Sequence, residues 1–235
     1  MNTNSNTYTI VYASVIVIIV AFLLAFVSIT LKPTQDKNIE LDKKKQILAS
    51  LNIRDLSTPK EVEDKYNEVI VLDMIITSEG DTVQLGKDKD KAGFLVGNKD
   101  INSNNLPIYI CNIGGETKYV VPMFGRGLWG GLWGYMAINN DCSTVFGAYF
   151  SHQSETAGLG SPIAEQKFQD QFKGKHLFAN DDFSNIALTI VKKGQVKVKE
   201  NEVDGLTGAT LTTKGAANMV NSGLQQYIHF LNANK

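Results

Sequence analysis

Between Tyr8 and Leu31 the chain runs for 24 residues without Asp, Glu, Lys, Arg, His, Asn, Gln, Gly or Pro. A helix of that length spans about 36 Å, enough to cross a hydrocarbon layer of about 30 Å with some tilt. No basic residue precedes the run and no small-x-small site follows it, so a retained span fits better than a cleaved leader. Beyond it the pattern changes. Residues 37–51 set Ile39, Leu41, Ile47, Leu48 and Leu51 among charges and predict an amphipathic helix. Residues 58–68 predict a second helix, with Pro59 in its first turn and Ser57 or Thr58 as cap. Runs at 69–77, 106–112, 117–123, 133–139 and 143–150 read as strands, and the polar stretch 79–105 as a loop. A helix is expected over 162–173, capped by Ser161 with Pro162 in its first turn. A strand pair follows at 185–192 and 195–200, joined by Lys193 and Gly194. The stripe Ala217, Val220, Leu224, Tyr227, Ile228 and Leu231 predicts a closing helix over 213–232, capped by Thr212 or Thr213.

Strands grouped together with helices at the ends indicate an α+β fold: a single N-terminal transmembrane helix followed by one mixed α+β domain. The expected boundaries are a tail at 1–7, the span at 8–31, a juxtamembrane helix and linker at 32–57, and the soluble domain at 58–235. The length of 235 residues suits one such domain. With 23 Lys and Arg against 24 Asp and Glu, the net charge of −1 speaks against a nucleic-acid partner. The position of the charge matters more than its sum. Lys32, Lys37, Lys43, Lys44 and Lys45 all follow the span, and the positive-inside rule would keep the domain in the cytoplasm. Without an ionisable residue inside, the span cannot by itself build an ion path. Cys111 and Cys142 are too few to mark a disulfide framework, and both pairing and staying free remain open. No His, Cys and carboxylate set has metal-ligand spacing, so no metal site is assigned.

Three segments carry candidate chemistry. The first is Gly125 to Gly134, with five glycines and two tryptophans in ten residues. It reads either as a tight turn offering backbone and an indole face to a flat ligand, or as a hairpin whose tryptophans plug the core. The second, Ser151 to Pro162, leaves an apolar strand and enters a helix. Its His152 and Glu155 could do acid–base work or simply be loop polars. The third is Asp204-Gly205-Leu206-Thr207-Gly208-Ala209-Thr210. On composition it is a helix entry. Its place just before a helix N-terminus also suits a phosphate.

The third string resembles the D-x-x-[ST]-G-A-T flavinylation motif, in which the last Thr carries FMN through a phosphoester. Gly127-Leu128-Trp129 is similar to a GLW turn, and Glu155 to Gly160 to an ETPGLG loop with Ala157 in place of Pro. Lys32 to Asn38, Leu41-Asp42, Ile47-Leu48 and Gly174-Lys175 add further matches. The chain thus resembles the C-subunit family of the sodium-translocating NADH:quinone reductases from span to C-terminus. That resemblance implies a membrane-anchored FMN-binding domain with covalent FMN on Thr210. It implies that Thr207, Gly208 and Ala209 shape the backbone at the phosphate and that Asp204 is read by a flavin transferase. Leu128, Trp129, Glu155, Thr156, Gly158 and Leu159 would line the flavin, and no catalytic residue is implied. The partners would be membrane lipid and the other members of a membrane complex of six subunits that oxidises NADH, reduces ubiquinone and exports Na+. The domain would lie on the periplasmic side of the bacterial inner membrane, against the lysine count, and the first span does not always obey that rule. Two other readings stay open: the G subunit of the related ferredoxin:NAD electron-transport complex, and a non-redox anchored binding or assembly protein.

Overall fold

The computed structural model describes residues 5–86, 92–179 and 183–235. Most of the expected tail at 1–7 and the middle of the 79–105 loop lie outside them. The chain divides into two units after Lys43. In the first, helix α1 begins at Asn6 and carries the apolar run exposed from Thr9 onward, with Tyr8 half-buried. The helix continues without a break to Ser50, so the amphipathic helix expected at 37–51 is its last part. Pro33 lies inside α1. A proline forfeits one backbone hydrogen bond to the fourth carbonyl before it, and the long helical runs on either side absorb that loss.

The second unit opens on the end of α1. Ile53 N–H donates to Leu48 O and Asn52 N–H to Ala49 O, both at about 3 Å, with Asn52 at φ 61°. This is a Schellman stop, which satisfies carbonyls that the ending helix would leave open. Helix α2 (Pro59–Val69) begins on a capping box: Glu61 N–H donates to Thr58 Oγ1, and the Glu61 carboxylate accepts from Thr58 N–H.

Strands β1 (Ile70–Ile76), β2 (Thr82–Leu85), β3 (Leu106–Ile113), β4 (Glu116–Arg126), β5 (Gly131–Asn139) and β6 (Val145–His152) form one antiparallel sheet in the order β2-β1-β3-β4-β5-β6. Its alternation separates two faces. Ile108, Val121, Met123, Leu132, Met136 and Phe150 point into a buried cluster shared with Met219, Val220, Leu224 and Tyr227 of the C-terminal helices. On the other face Tyr109 and Tyr135 meet edge to face, as do Tyr66 and Phe94. Lys44 Nζ sits 5.3 Å from the Tyr66 ring centre and 5.6 Å from that of Phe94. Trp133 Nε1 donates to Gln46 Oε1 at 3.0 Å, tying the end of α1 to β5.

Four local expectations are corrected. The stretch expected as a loop at 79–105 contains the exposed edge strand β2. The helix expected at 162–173 is broken into a turn of 3-10 helix (Ser161–Ala164), the short helix α3 (Gln166–Gln169) and a second 3-10 turn (Asp170–Phe172), and Ser161 caps none of them. The buried Gln169 side chain makes the break tolerable by donating to Phe150 O and Ala164 O, a carbonyl that a continuous helix would have used. Residues 195–200 form no strand. Their backbone is gathered by the Glu202 carboxylate, which accepts from Lys197 and Val198 N–H. The pairing is instead parallel, between β7 (Thr189–Val191) and β8 (Glu202–Asp204). The closing helix starts earlier than expected, as α4 (Thr210–Gln225). It breaks before α5 (Ile228–Ala233), where the buried Tyr227 hydroxyl reaches Pro107 O and Pro122 O.

Cys111 and Cys142 are both buried and free. Burial pushes both thiols up, that of Cys142 to about 11.

Candidate functional site

The GLW segment is the connection between β4 and β5. Gly127 N–H donates to Gly130 O at 2.9 Å and closes the turn. Leu128 and Trp129 project from it, 47% and 65% exposed. Trp129 therefore does not plug the core, whereas Trp133 is half-buried and held by Gln46. Ser154 Oγ donates to Trp129 O, and Gln153 N–H to Gly131 O, so the loop leaving β6 runs beside the turn.

That loop is wound tightly. Thr156 O accepts from Leu159, Gly160 and Ser161 N–H, each at 3.1 Å. Gly158 takes φ +73°, a left-handed conformation that costs glycine little. Thr156, Gly158 and Leu159 are exposed, but Glu155 is not. Only 7% exposed, its carboxylate spends both oxygens on the protein: Trp129 N–H donates to Oε1 at 2.9 Å and Thr212 Oγ1 to Oε2 at 2.5 Å. His152 Nδ1 accepts from Glu155 N–H at 3.1 Å. The two residues suggested for acid–base work are thus committed to holding the loop.

The third segment leaves β8 and enters α4. Asp204 Oδ1 accepts from Gly194 N–H at 2.8 Å, and Lys193 Nζ lies 3.3 Å from Oδ2. Gly205 N–H donates to Val191 O and Leu206 N–H to Thr213 Oγ1, so Thr213 anchors the loop before α4. Gly208 turns the chain at φ +74°, against Leu159 of the neighbouring loop. Thr207, Gly208 and Thr210 are exposed and Ala209 is buried.

Thr210 is the first residue of α4, and Ala209 at the cap position has no side chain to offer. Among the described residues the N–H groups of Thr210, Leu211 and Thr212 donate to no protein group. Three open donors at the positive end of a 16-residue helix form a ready anion site. Leu211 in that first turn is 57% exposed, and Leu128, Trp129 and Leu159 on the two neighbouring loops are exposed apolar side chains as well. The donors fit the phosphate of a flavin nucleotide, and the exposed apolar side chains fit its ring.

All three segments meet at Glu155, which reaches the first turn from one oxygen and α4 from the other. The packing there is close. A Cβ at Gly160 would lie 2.6 Å from Glu155 Oε2 and 2.7 Å from Thr212 Oγ1. A shallow cleft of about 160 Å³ adjoins the site, lined in part by Thr207, Lys193 and Phe168. A larger one of about 480 Å³, beside Phe124 and Trp133, does not include Thr210. Among the described residues no group of His, Cys, Asp and Glu is placed to hold a metal ion. Leu211 was not singled out from the sequence, and Thr212 and Thr213 were given no binding role there. Thr212 and Thr213 read there as alternative helix caps, and nothing local signals a bond across 57 residues to Glu155.

Comparison with known proteins bears on the same segments. A family model described as an FMN-binding domain matches residues 127–225, from the GLW turn to the end of α4. A curated relative, the C subunit of the Na(+)-translocating NADH-quinone reductase of Haemophilus ducreyi, is 34% identical over 92% of this chain and 89% of its own length. Its counterpart in Pseudomonas aeruginosa is 31% identical over 93% and 91%. The crystal structure of the C subunit from Parabacteroides distasonis superposes with a TM-score of 0.78 at 35% identity, covering 87% of this chain and 98% of that one.

Proposed function

Because this chain belongs to the C-subunit family of the Na+-translocating NADH:quinone reductases, we propose that Thr210 is the residue to which its FMN is joined, through a phosphoester on the side-chain oxygen. The chain is a membrane-anchored FMN-binding subunit of that oxidoreductase complex, with the other subunits as its partners and the inner membrane as its place. It is a part of the enzyme rather than a complete catalyst. The ferredoxin-linked G subunit and the non-redox anchor are not favoured, since the curated matches run along nearly the whole chain.

The observation that supports Thr210 is the uncapped start of α4. An exposed threonine hydroxyl opens the helix, and three N–H groups beside it lack protein acceptors. A phosphoester there meets the open donors and the favourable end of the helix dipole. When bound, FMN supplies the electron-carrying chemistry. The chain's own residues hold and orient it. Thr207, Gly208 and Ala209 set the path of the backbone at the phosphate, and the positive φ of Gly208 turns that path. Leu128, Trp129, Thr156, Gly158 and Leu159 line the space for the ring and keep water from part of it. Asp204, fixed by Gly194 and Lys193, presents the motif to a flavin transferase.

The complex has six subunits in this reading, membrane lipid surrounds the apolar run of α1 at 8–31, and the domain faces the periplasm. A reporter fused after Lys235 that is active only in the cytoplasm would reverse that sidedness. Mass spectrometry of the peptide spanning Thr210 tests the attachment. The mass of FMN is expected on that peptide, and Thr210→Ala should abolish the fluorescent band on a denaturing gel. A band that persists in Thr210→Ala refutes the assignment.

A further inference from the structure

The buried carboxylate at the meeting point of the three segments has no cation within ion-pairing distance among the described residues. Its charge is met only by Trp129 N–H, by the Thr212 hydroxyl and by the positive end of α4, in whose first turn Thr212 lies. Hydrogen bonds to a charged group are short and strong, and the 2.5 Å contact with Thr212 fits that description. A neutral amide of the same shape would keep both links. Gln retains one carbonyl oxygen for Trp129 N–H and offers an N–H to Thr212 Oγ1. Linkage alone therefore does not require an acid here. A charge that no cation neutralises, in a poorly solvated wall, acts strongly on any other charge that forms nearby.

We propose that Glu155 is a positioning residue that locks the GLW turn to the first turn of α4, and that its buried negative charge holds down the reduction potential of the FMN carried by this site. The proposal rests on the reading that FMN is joined at Thr210. Reduction adds electron density to the flavin, and a fixed anion in the wall opposes it. Donors to that anion weaken the opposition. Removing the charge and removing a donor should therefore move the potential in opposite directions. A purely structural brace, which Gln would preserve at both links, would leave the potential of Glu155→Gln at the native value.

The test is a redox titration of the flavin in the full chain, purified in detergent, for the native protein, Glu155→Gln and Thr212→Val. FMN mass at Thr210 is measured first in the native protein. Its absence overturns the attachment reading, whereas its presence leaves the titration to judge Glu155. Glu155→Gln should raise the ratio of reduced to oxidised flavin at a fixed ambient potential by about tenfold, or 59 mV for a one-electron step. Thr212→Val keeps the charge and removes one donor, so the ratio should fall. Equal potentials in Glu155→Gln and the native chain, or shifts of the same sign in both variants, overturn the proposal. If Glu155→Gln takes up no flavin, Thr212→Val decides alone: a fall supports the proposal, and an unchanged or raised ratio overturns it.

Discussion

Gly160→Ala is the sharpest test of the packing that joins the three segments. Gly160 has φ −87° and ψ −31°, which alanine adopts freely. Backbone preference alone would therefore make the substitution stabilising, by about 0.4–1 kcal/mol through the unfolded chain. The side chain works against it. The added Cβ would sit 2.6 Å from Glu155 Oε2, 2.7 Å from Thr212 Oγ1 and 3.1 Å from Glu155 Cβ. Neither oxygen belongs to a loose side chain: Thr212 is 2% exposed and Glu155 7%. Overpacking of this kind costs about 1–3 kcal/mol. If the intrusion parts Thr212 from Glu155, a hydrogen bond to a charged group worth about 1.5–3 kcal/mol is lost as well. The net expectation is a destabilisation of roughly 2–5 kcal/mol. Urea unfolding of the full chain in detergent, followed by tryptophan fluorescence, measures it. Both tryptophans, Trp129 and Trp133, lie at the β4–β5 hairpin, so the signal reports the site. A Gly160→Ala chain as stable as the native one, or more stable, would refute the close packing of Glu155 and Thr212.

Trp129→Ala should change stability by no more than about 0.5 kcal/mol, because the side chain is 65% exposed, yet alter the flavin absorption spectrum. An unchanged spectrum would remove Trp129 from the ring contacts. Backbone hydrogen bonds from Ser57 and Thr58 hold the Glu61 carboxyl below its ordinary 4.5. Its contribution is then present above that value and lost as pH falls through the lower folded value. The native chain should lose more stability than Glu61→Gln over that acid range, and identical acid limbs in the two unfolding curves would count against the capping box. Cys111 and Cys142 should resist iodoacetamide at about pH 8 in the folded chain, since burial keeps both thiols protonated, and react after unfolding. Rapid labelling under native conditions would contradict their burial.

The parts legible in the sequence are those whose cause is local. The 24-residue apolar run announces α1, and β-rich apolar runs announce β1 and β3 to β6. Thr58 followed by Pro59 and Glu61 announces the start of α2. The misread parts are governed by distant side chains. Gln169 decides that 162–173 is broken, and the Glu202 carboxylate keeps 195–200 out of the sheet despite the alternating Val196 and Val198. Tyr227 marks the break between α4 and α5 by reaching across to β3 and β4. None of these bonds has a signature in its own neighbourhood.

The site divides along the same line. The small-residue turn before α4 was readable because it is a local pattern, although the helix starts at Thr210 rather than at the expected 213. The role of Glu155 was not, because it depends on partners 26 residues before it and 57 after it. A Glu in an exposed-looking polar loop reads naturally as a residue facing the ligand. The structure places it beneath the surface, with both oxygens used by the protein and the exposed positions taken by Trp129, Thr156 and Leu159. A buried acid without an ion pair costs stability unless something in the fold requires its charge. Gln at this position would supply the same links without that cost. The acid at 155 is therefore better explained by its effect on the electrons carried nearby than by its contribution to folding.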